Sequence, residues 1–142
     1  MTRPEILADF TRKIDFFSTF GGNPVSAAAL ATLEALQHGK LQQNALKTAE
    51  FLRNELTALQ GEFPLLADVR GAGLMTGVEI CEEGKPSQKL ARRIANGLRQ
   101  ARVLIGTEGP EGTVLKIRPP LPFGPQHAAR LMEALRGVLR TL

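Results

Sequence analysis

Tryptophan and tyrosine are absent from this 142-residue sequence, and cysteine and histidine are scarce. The single cysteine, Cys81, excludes an internal disulfide and is typical of a protein in a reducing compartment. No segment approaches the roughly 18 consecutive apolar residues of a membrane span, and residues 1–5 lack the apolar stretch of a secretory signal. The two histidines have no partner at ligand spacing, which argues against a metal site. We therefore expect a cytoplasmic protein with no membrane segment and no metal.

Basic residues outnumber acidic residues by 18 to 14, which gives a formal net charge of +4. A basic surface can attract nucleic acid. Proteins that bind single-stranded DNA or RNA, however, usually have aromatic side chains that stack on the bases, placed among their basic residues. The aromatic residues here are seven phenylalanines, most of them near the N-terminus and away from the basic residues. We interpret the excess of arginine as a solvated surface and expect no nucleic-acid partner.

Hydrophobic periodicity predicts an α+β fold with about three strands and with helices on one side of the sheet. Helices are predicted over about residues 3–17, 24–38, 40–60 and 125–142, with a further helix that buries Leu90, Ile94 and Leu98. Strands are predicted over residues 74–81, 103–105 and 113–117. Residues 1–38 supply two helices and no strand, so we place a boundary there and assign residues 39–142 to a small domain.

The loop from Ser18 to Pro24 contains two hydroxyls and two adjacent glycines directly before a predicted helix. Asn23 is a good N-cap and Pro24 suits the first helical position. Free N–H groups and the helix dipole favour an anion at such a place, so the loop suits a phosphate. An ordinary capped loop explains the same residues equally simply.

Two arginines are candidates for specific roles. Arg118 precedes Pro119 and Pro120 at the end of a predicted strand, where its guanidinium either binds a carboxylate through two parallel hydrogen bonds or lies on the surface. Arg70 lies in an Arg-Gly-x-Gly turn, and we expect it to be structural, with hydrogen bonds to backbone carbonyls.

Four blocks, in the same order, resemble the class III aminotransferases, a family of pyridoxal-phosphate enzymes. The blocks are Thr2–Ile6, Phe17–Ser26, Asp68–Glu79 and Val114–Leu121. The second resembles the segment that follows the lysine holding the cofactor in that family. The third and fourth resemble the first and last strands of its small domain. The resemblance extends over almost the whole chain.

The resemblance implies a fold-type I pyridoxal-phosphate enzyme and assigns roles to three residues. Residues 1–38 would be the end of the large cofactor-binding domain, and residues 39–142 the small C-terminal domain. Thr19, with help from Ser18, would bind the phosphate of pyridoxal phosphate across a dimer interface. Arg118 would bind the carboxylate of the amino-acid or keto-acid substrate.

The family's cofactor-binding lysine lies before the first of these blocks, and none of the six lysines present occupies its position. We therefore expect no catalytic residue in this chain, which would be a C-terminal piece that does not transaminate alone and that needs a second copy or a partner chain carrying the large domain. A non-catalytic binding or regulatory module that reuses the small domain is the alternative. The blocks also resemble family members that eliminate phosphate from amino-alcohol phosphates.

Overall fold

The computed structural model describes residues 2–15, 17–19 and 21–142. It divides into two compact units, which we call the N-terminal unit (residues 1–39) and the C-terminal unit (residues 40–142). No helix in the described part of the chain is long and apolar enough to cross a membrane.

The N-terminal unit consists of helices α1 (Pro4–Thr11) and α2 (Pro24–His38). The predicted start of α2 is confirmed, because the Asn23 side chain accepts a hydrogen bond from the backbone N–H of Ser26 at 3.1 Å and Pro24 is the first helical residue. The first predicted helix was too long, since α1 ends at Thr11 although the apolar pattern continues to residue 17. Neither helix contains a buried residue.

The C-terminal unit alternates helices and strands. In chain order its elements are α3 (Leu41–Glu62), β1 (Leu66–Ala72), β2 (Met75–Glu82), β3 (Lys85–Pro86), α4 (Gln88–Gln100), β4 (Gly106–Glu108), β5 (Val114–Ile117) and α5 (Pro125–Leu139). The predicted mixture of helices and strands is therefore confirmed.

The sheet is antiparallel and has five strands, two more than the predicted three. Its order is β1-β2-β5-β4, and the two-residue β3 pairs with β2 outside this path. Sequence reading missed β1 as a separate strand because most of its residues are exposed, which removes the alternating apolar pattern. The strand predicted at residues 103–105 lies slightly later in the chain, as β4. Arg102, just after α4, has a left-handed φ of 62°, and strand pairing begins only at Gly106.

The core lies between α3, α4, α5 and one face of the sheet. Val78 of β2 is opposite Leu115 of β5, and Thr76 is opposite Ile117, so these side chains share the buried face. Against them pack buried residues of all three helices, such as Leu52, Leu98 and Leu135. Burial of each such leucine contributes about 1.5–3 kcal/mol relative to an exposed position. This one-sided packing leaves the other face of the sheet to polar and charged side chains.

On that other face, charged side chains pair across strands. Arg70 of β1 donates hydrogen bonds to Asp68 at 2.6 Å and to Glu79 of β2 at 2.9 Å. Lys116 of β5 forms an ion pair with Glu108 of β4. Arg70 therefore has the predicted structural role, but the predicted partners were wrong. Its partners are carboxylates rather than backbone carbonyls, because the register of β1 and β2 brings Asp68 opposite Glu79.

Candidate functional site

A cleft of about 590 Å³ lies in the C-terminal unit where β5 ends and α5 begins. This volume falls within the ~300–1,000 Å³ that small-molecule sites usually occupy. The cleft combines basic side chains with an apolar lining. Its walls include Arg102, Val103, Leu104, Ile105, Gly106, Lys116, Ile117, Arg118, Pro119, Pro120, Phe123, His127, Arg130 and Leu131.

Arg118 is placed in this cleft by the end of β5. Ile117 is the last residue of the strand and is buried in the core, so the next side chain leaves the sheet at its end. Pro119 and Pro120 then prevent the strand from continuing, because proline has no N–H to donate to a ladder. Arg118 is exposed and forms no hydrogen bond or ion pair with any described residue. Its guanidinium is therefore available to a ligand.

The cleft is positively charged. Arg102 and Arg130 also line it, and neither forms an ion pair with a described residue. Lys116 lies at its edge and is paired with Glu108. The hydrogen bond from Lys116, and to a smaller extent the charge of Arg118, lower the pKa of the Glu108 carboxyl. No described lining residue is acidic. Three unpaired guanidinium groups around one cavity favour an anionic ligand.

Hydrogen bonds fix the segment between Arg118 and α5. The Asn44 side chain in α3 donates to the carbonyl oxygens of Leu121 (2.8 Å) and Phe123 (3.0 Å). The backbone N–H of Gly124 donates to Nδ1 of His127 at 3.1 Å, which caps α5. Sequence reading placed His127 in the first turn of α5 but gave no role to Asn44, because 77 residues separate it from Leu121.

The rings of Phe123 and His127 form one wall of the cleft. Their centroids are 5.4 Å apart, with the planes tilted by 37°. Sequence reading missed Phe123 as a site residue, although its position after the Pro-Pro-Leu-Pro run was the available signal. The wall gives the cleft an apolar surface beside its cations, so the site suits an anion that carries a short organic body.

Ser18 and Thr19 belong to the N-terminal unit, whereas Arg118 belongs to the C-terminal unit. Both hydroxyl residues are exposed. Gly22 has a φ of +74°, and the space where a side chain would begin is open. The cap by Asn23 satisfies the N–H of Ser26, so fewer helix N–H groups remain for an anion than the sequence suggested.

Comparison with known proteins identifies the family. The model of the aminotransferase class-III family matches residues 1–139. This chain belongs to the class III aminotransferases. It is 37% identical to the alanine–glyoxylate aminotransferase 2-like protein of Drosophila melanogaster over 98% of this chain and 29% of that protein. The chain thus spans about three-tenths of the length of that relative.

Solved structures of similar proteins share the fold. A phospholyase from Arthrobacter in complex with phosphoethanolamine is 38% identical and has a TM-score of 0.84, covering 99% of this chain and 34% of that chain. A PLP-bound amine transaminase from an uncultivated Pseudomonas species is 29% identical and has a TM-score of 0.75, covering 93% of this chain and 31% of that chain. Both show that the described fold is a part of larger enzymes.

The lysines of this class III chain are all at or near the surface. Five of the six are exposed, and Lys116 is half-buried and ion-paired with Glu108. A lysine that attacks a carbonyl must be neutral, and burial or a neighbouring cation usually lowers the pKa of its amine for this purpose. None of the six lies in such an apolar enclosure.

Proposed function

We propose that this chain is the C-terminal part of a pyridoxal-phosphate-dependent aminotransferase that moves an amino group between an amino donor and a keto acid or aldehyde. The observation that carries this proposal is the position of Arg118, unpaired in a basic, partly apolar cleft of a class III chain. In this proposal residues 1–38 are the end of the large domain, residues 39–142 are the small domain, and the complete enzyme is a cytoplasmic homodimer or contains a partner chain.

Arg118 binds the substrate carboxylate in this scheme. A guanidinium forms two parallel hydrogen bonds with a carboxylate, which fixes the position and orientation of the ligand. Phe123 and the prolines after Arg118 would contact the apolar part of the substrate. The hydrogen bonds from Asn44 hold this segment, so that little conformational freedom is lost when the ligand binds.

Thr19 and Ser18 contact the cofactor phosphate in this scheme. Their exposed hydroxyls and the open backbone at Gly22 fit a phosphate that approaches from outside the unit. Pyridoxal phosphate, when bound, supplies the electron sink for amino-group chemistry. The residues present here can hold its phosphate and orient the substrate, whereas no lysine is placed to hold the cofactor covalently. We therefore expect the chain alone to lack transaminase activity.

This expectation is tested by mixing the 142-residue chain with pyridoxal phosphate, an amino donor and a keto acid. Amino-group transfer should not exceed that of the free cofactor, as measured by the formation of the new amino acid. Transfer well above this background that disappears when a single lysine is replaced would contradict the proposal.

The role of Arg118 is tested after the chain is combined with a partner that carries the large domain. Arg118→Gln should raise KM for the keto acid roughly ten- to a hundredfold, the effect of losing a charge-assisted pair. Arg140→Gln, which removes an exposed arginine outside the cleft, is the control and should leave KM unchanged. Equal effects of the two substitutions would exclude the carboxylate role. Binding of carboxylates without activity in any combination would favour the non-catalytic module.

Elimination of phosphate from an amino-alcohol phosphate is a second candidate function. The Arthrobacter phospholyase that binds phosphoethanolamine matches 99% of this chain with a TM-score of 0.84, and three unpaired arginines in one cleft suit a phosphate as well as a carboxylate. In that case Arg118 would not have the carboxylate role. The test compares two rates of the combined enzyme, the release of inorganic phosphate from phosphoethanolamine and amino-group transfer to a keto acid. Faster phosphate release would favour this second function.

A further inference from the structure

A second cleft, of about 630 Å³, lies between α4 and the end of α5, away from the residues of the Arg118 cleft. Almost all of its polar lining consists of hydrogen-bond donors or cations. Its walls are Gln88, Lys89, Arg92, Arg93, Asn96, Gly97, Gln100, Val138, Thr141 and Leu142. No function proposed above uses this cleft.

The charge of α4 is one-sided. The helix carries Lys89, Arg92, Arg93 and Arg99 and contains no acidic residue. Lys89, Arg92 and Arg93 line the cleft. Lys89 and Arg92 form no ion pair with a described residue, whereas Arg93 donates a hydrogen bond to the terminal backbone oxygen of Leu142. Cations elsewhere in this unit do find carboxylates, as Arg70 does with Asp68 and Glu79. Lys89 lies three and four residues before Arg92 and Arg93, so it repels each of them by a few tenths of a kcal/mol, and an anion that neutralises these charges would stabilise this surface.

The base of the cleft is closely packed. Gly97 allows α5 to approach α4, because a Cβ at this position would lie only 2.8 Å from Cγ1 of Val138. Arg93 donates a hydrogen bond to the carbonyl oxygen of Leu142 at 3.1 Å, and Gln88 donates one to the carbonyl oxygen of Glu111 at 2.6 Å. These contacts hold two lining side chains in place before a ligand arrives, which reduces the entropy lost on binding.

We propose that this cleft binds a compact polyanion of the condensed-phosphate class. Arginine binds phosphate oxygens bidentately, and Lys89, Asn96 and Gln100 add further donors around the same cavity. The cations are concentrated in one turn of α4 rather than distributed along an extended path, which favours a short, densely charged ligand. No described aromatic side chain lines the cleft, so the stacking surface typical of single-strand readers is absent from it.

The test is calorimetric titration of the complete 142-residue chain with sodium tripolyphosphate at low ionic strength. Saturable binding with one site is expected, and it should weaken as salt is added because the cleft is open to solvent. The double variant K89Q/R92Q should bind roughly tenfold more weakly, the size expected for two exposed ion pairs. Arg93 is left unchanged because its hydrogen bond to Leu142 supports the packing of the two helices.

The matched control is R99Q/R140Q. It removes the positive charges of Arg99 in α4 and of Arg140 directly after α5, both outside the cleft, so the net charge falls equally while the proposed site stays intact. Both double variants are also titrated at about 0.15 M salt, where charges more than about 8 Å apart are largely screened. There, binding by this control should remain within about twofold of the unsubstituted chain. An equal loss in both double variants would overturn the site and leave only non-specific attraction.

Amide chemical shifts of the unsubstituted chain provide a second measurement that does not depend on any variant folding. Tripolyphosphate should shift the amides of α4 and of the last residues of α5, and those around Arg118 should move less. Larger shifts around Arg118, or no saturable binding, would overturn the proposal. Displacement of tripolyphosphate from α4 by a lower concentration of oligoglutamate or of duplex DNA would also overturn it, in favour of a macromolecular partner.

Discussion

The two units of the molecule are stabilised in different ways. All of the buried hydrophobic residues found in the described part of the chain lie between Ala45 and Leu139, within the C-terminal unit. In the N-terminal unit most of the described large apolar side chains are exposed, as shown by Val25 at 75% and Leu30 at 58%. The comparison shows that a helix can be specified by local signals alone, whereas a fold that holds a site in place needs a continuous core.

Local signals explain α2. Asn23 caps its first turn, Pro24 starts it, and a run of alanines supplies residues of high helix propensity. Apolar residues of α1 are also exposed, as shown by Ile6 at 59% and Leu7 at 49%. Short helices without tertiary packing are marginal in water. An exposed apolar surface of this kind often marks a site of protein–protein contact. We predict that α2 either stays partly exposed or is buried in a self-association interface, and sedimentation measurements distinguish these outcomes.

The largest contrast between the units should appear when a leucine is shortened in each. Leu56 is fully buried, so Leu56→Ala should lower the free energy of unfolding by about 2–5 kcal/mol. Leu30→Ala, on α2, should change it by less than about 0.5 kcal/mol. Urea unfolding followed by circular dichroism measures both. Similar losses for the two substitutions would show that the N-terminal unit has packing that this structure does not contain.

Glycine substitutions should give the next largest effect. Gly71 has a φ of +148°, and a Cβ there would overlap the carbonyl oxygen of Met75 in the neighbouring strand. Gly71→Ala should therefore destabilise the sheet by about 2–3 kcal/mol, because the backbone itself must move. Gly22 in the N-terminal unit also has a positive φ but faces open space, so Gly22→Ala should cost only about 1 kcal/mol. Thermal unfolding of both variants tests this order. A smaller loss of stability for Gly71→Ala than for Gly22→Ala would contradict the prediction.

These substitutions mark how far the sequence could predict the structure. The helices of both units, the capping by Asn23 and the placement of Arg118 at a strand end were predictable because each depends on residues close together in the chain. Strand β1 was not, because an edge strand with exposed residues has no apolar alternation. The bonds from Asn44 to residues 121 and 123 were beyond prediction for another reason, since nothing local to Asn44 indicates which distant carbonyls it will meet.

A pH effect of intermediate size is expected in the C-terminal unit. The hydrogen bond from the Thr113 hydroxyl, at 2.6 Å, and then that from Arg70 lower the pKa of Glu79 below its ordinary value of 4.5. The folded state therefore binds fewer protons than the unfolded state, so this contribution to stability is complete above about pH 4.5 and is lost as the pH falls through the folded pKa. Glu79→Gln should cost roughly 1 kcal/mol at pH 7, and this difference should shrink in acid.

Unfolding free energies at pH 7 and pH 3 measure this effect. Glu108→Gln is the control, because that carboxylate is exposed and its pairing with Lys116 is open to solvent. Its effect should have the same sign but be smaller than that of Glu79→Gln at pH 7, because an exposed ion pair contributes little. The difference in unfolding free energy between Glu79→Gln and the unsubstituted chain should shrink as the pH falls. A difference that grew in acid would contradict the predicted direction of the pH dependence.

The smallest predicted effect is confined to the N-terminal unit. Asn23→Ala removes the side-chain acceptor for the N–H of Ser26, so α2 should lose about 0.5–1 kcal/mol of local stability. Amide hydrogen exchange should become faster in the first turns of α2, while exchange in α3 and the sheet should stay unchanged because their stability comes from the core. Asn23→Asp keeps an acceptor at the same position and should restore slow exchange. Faster exchange throughout the C-terminal unit would show that the two units share stability, and the distinction between local and core-based stabilisation would then be wrong.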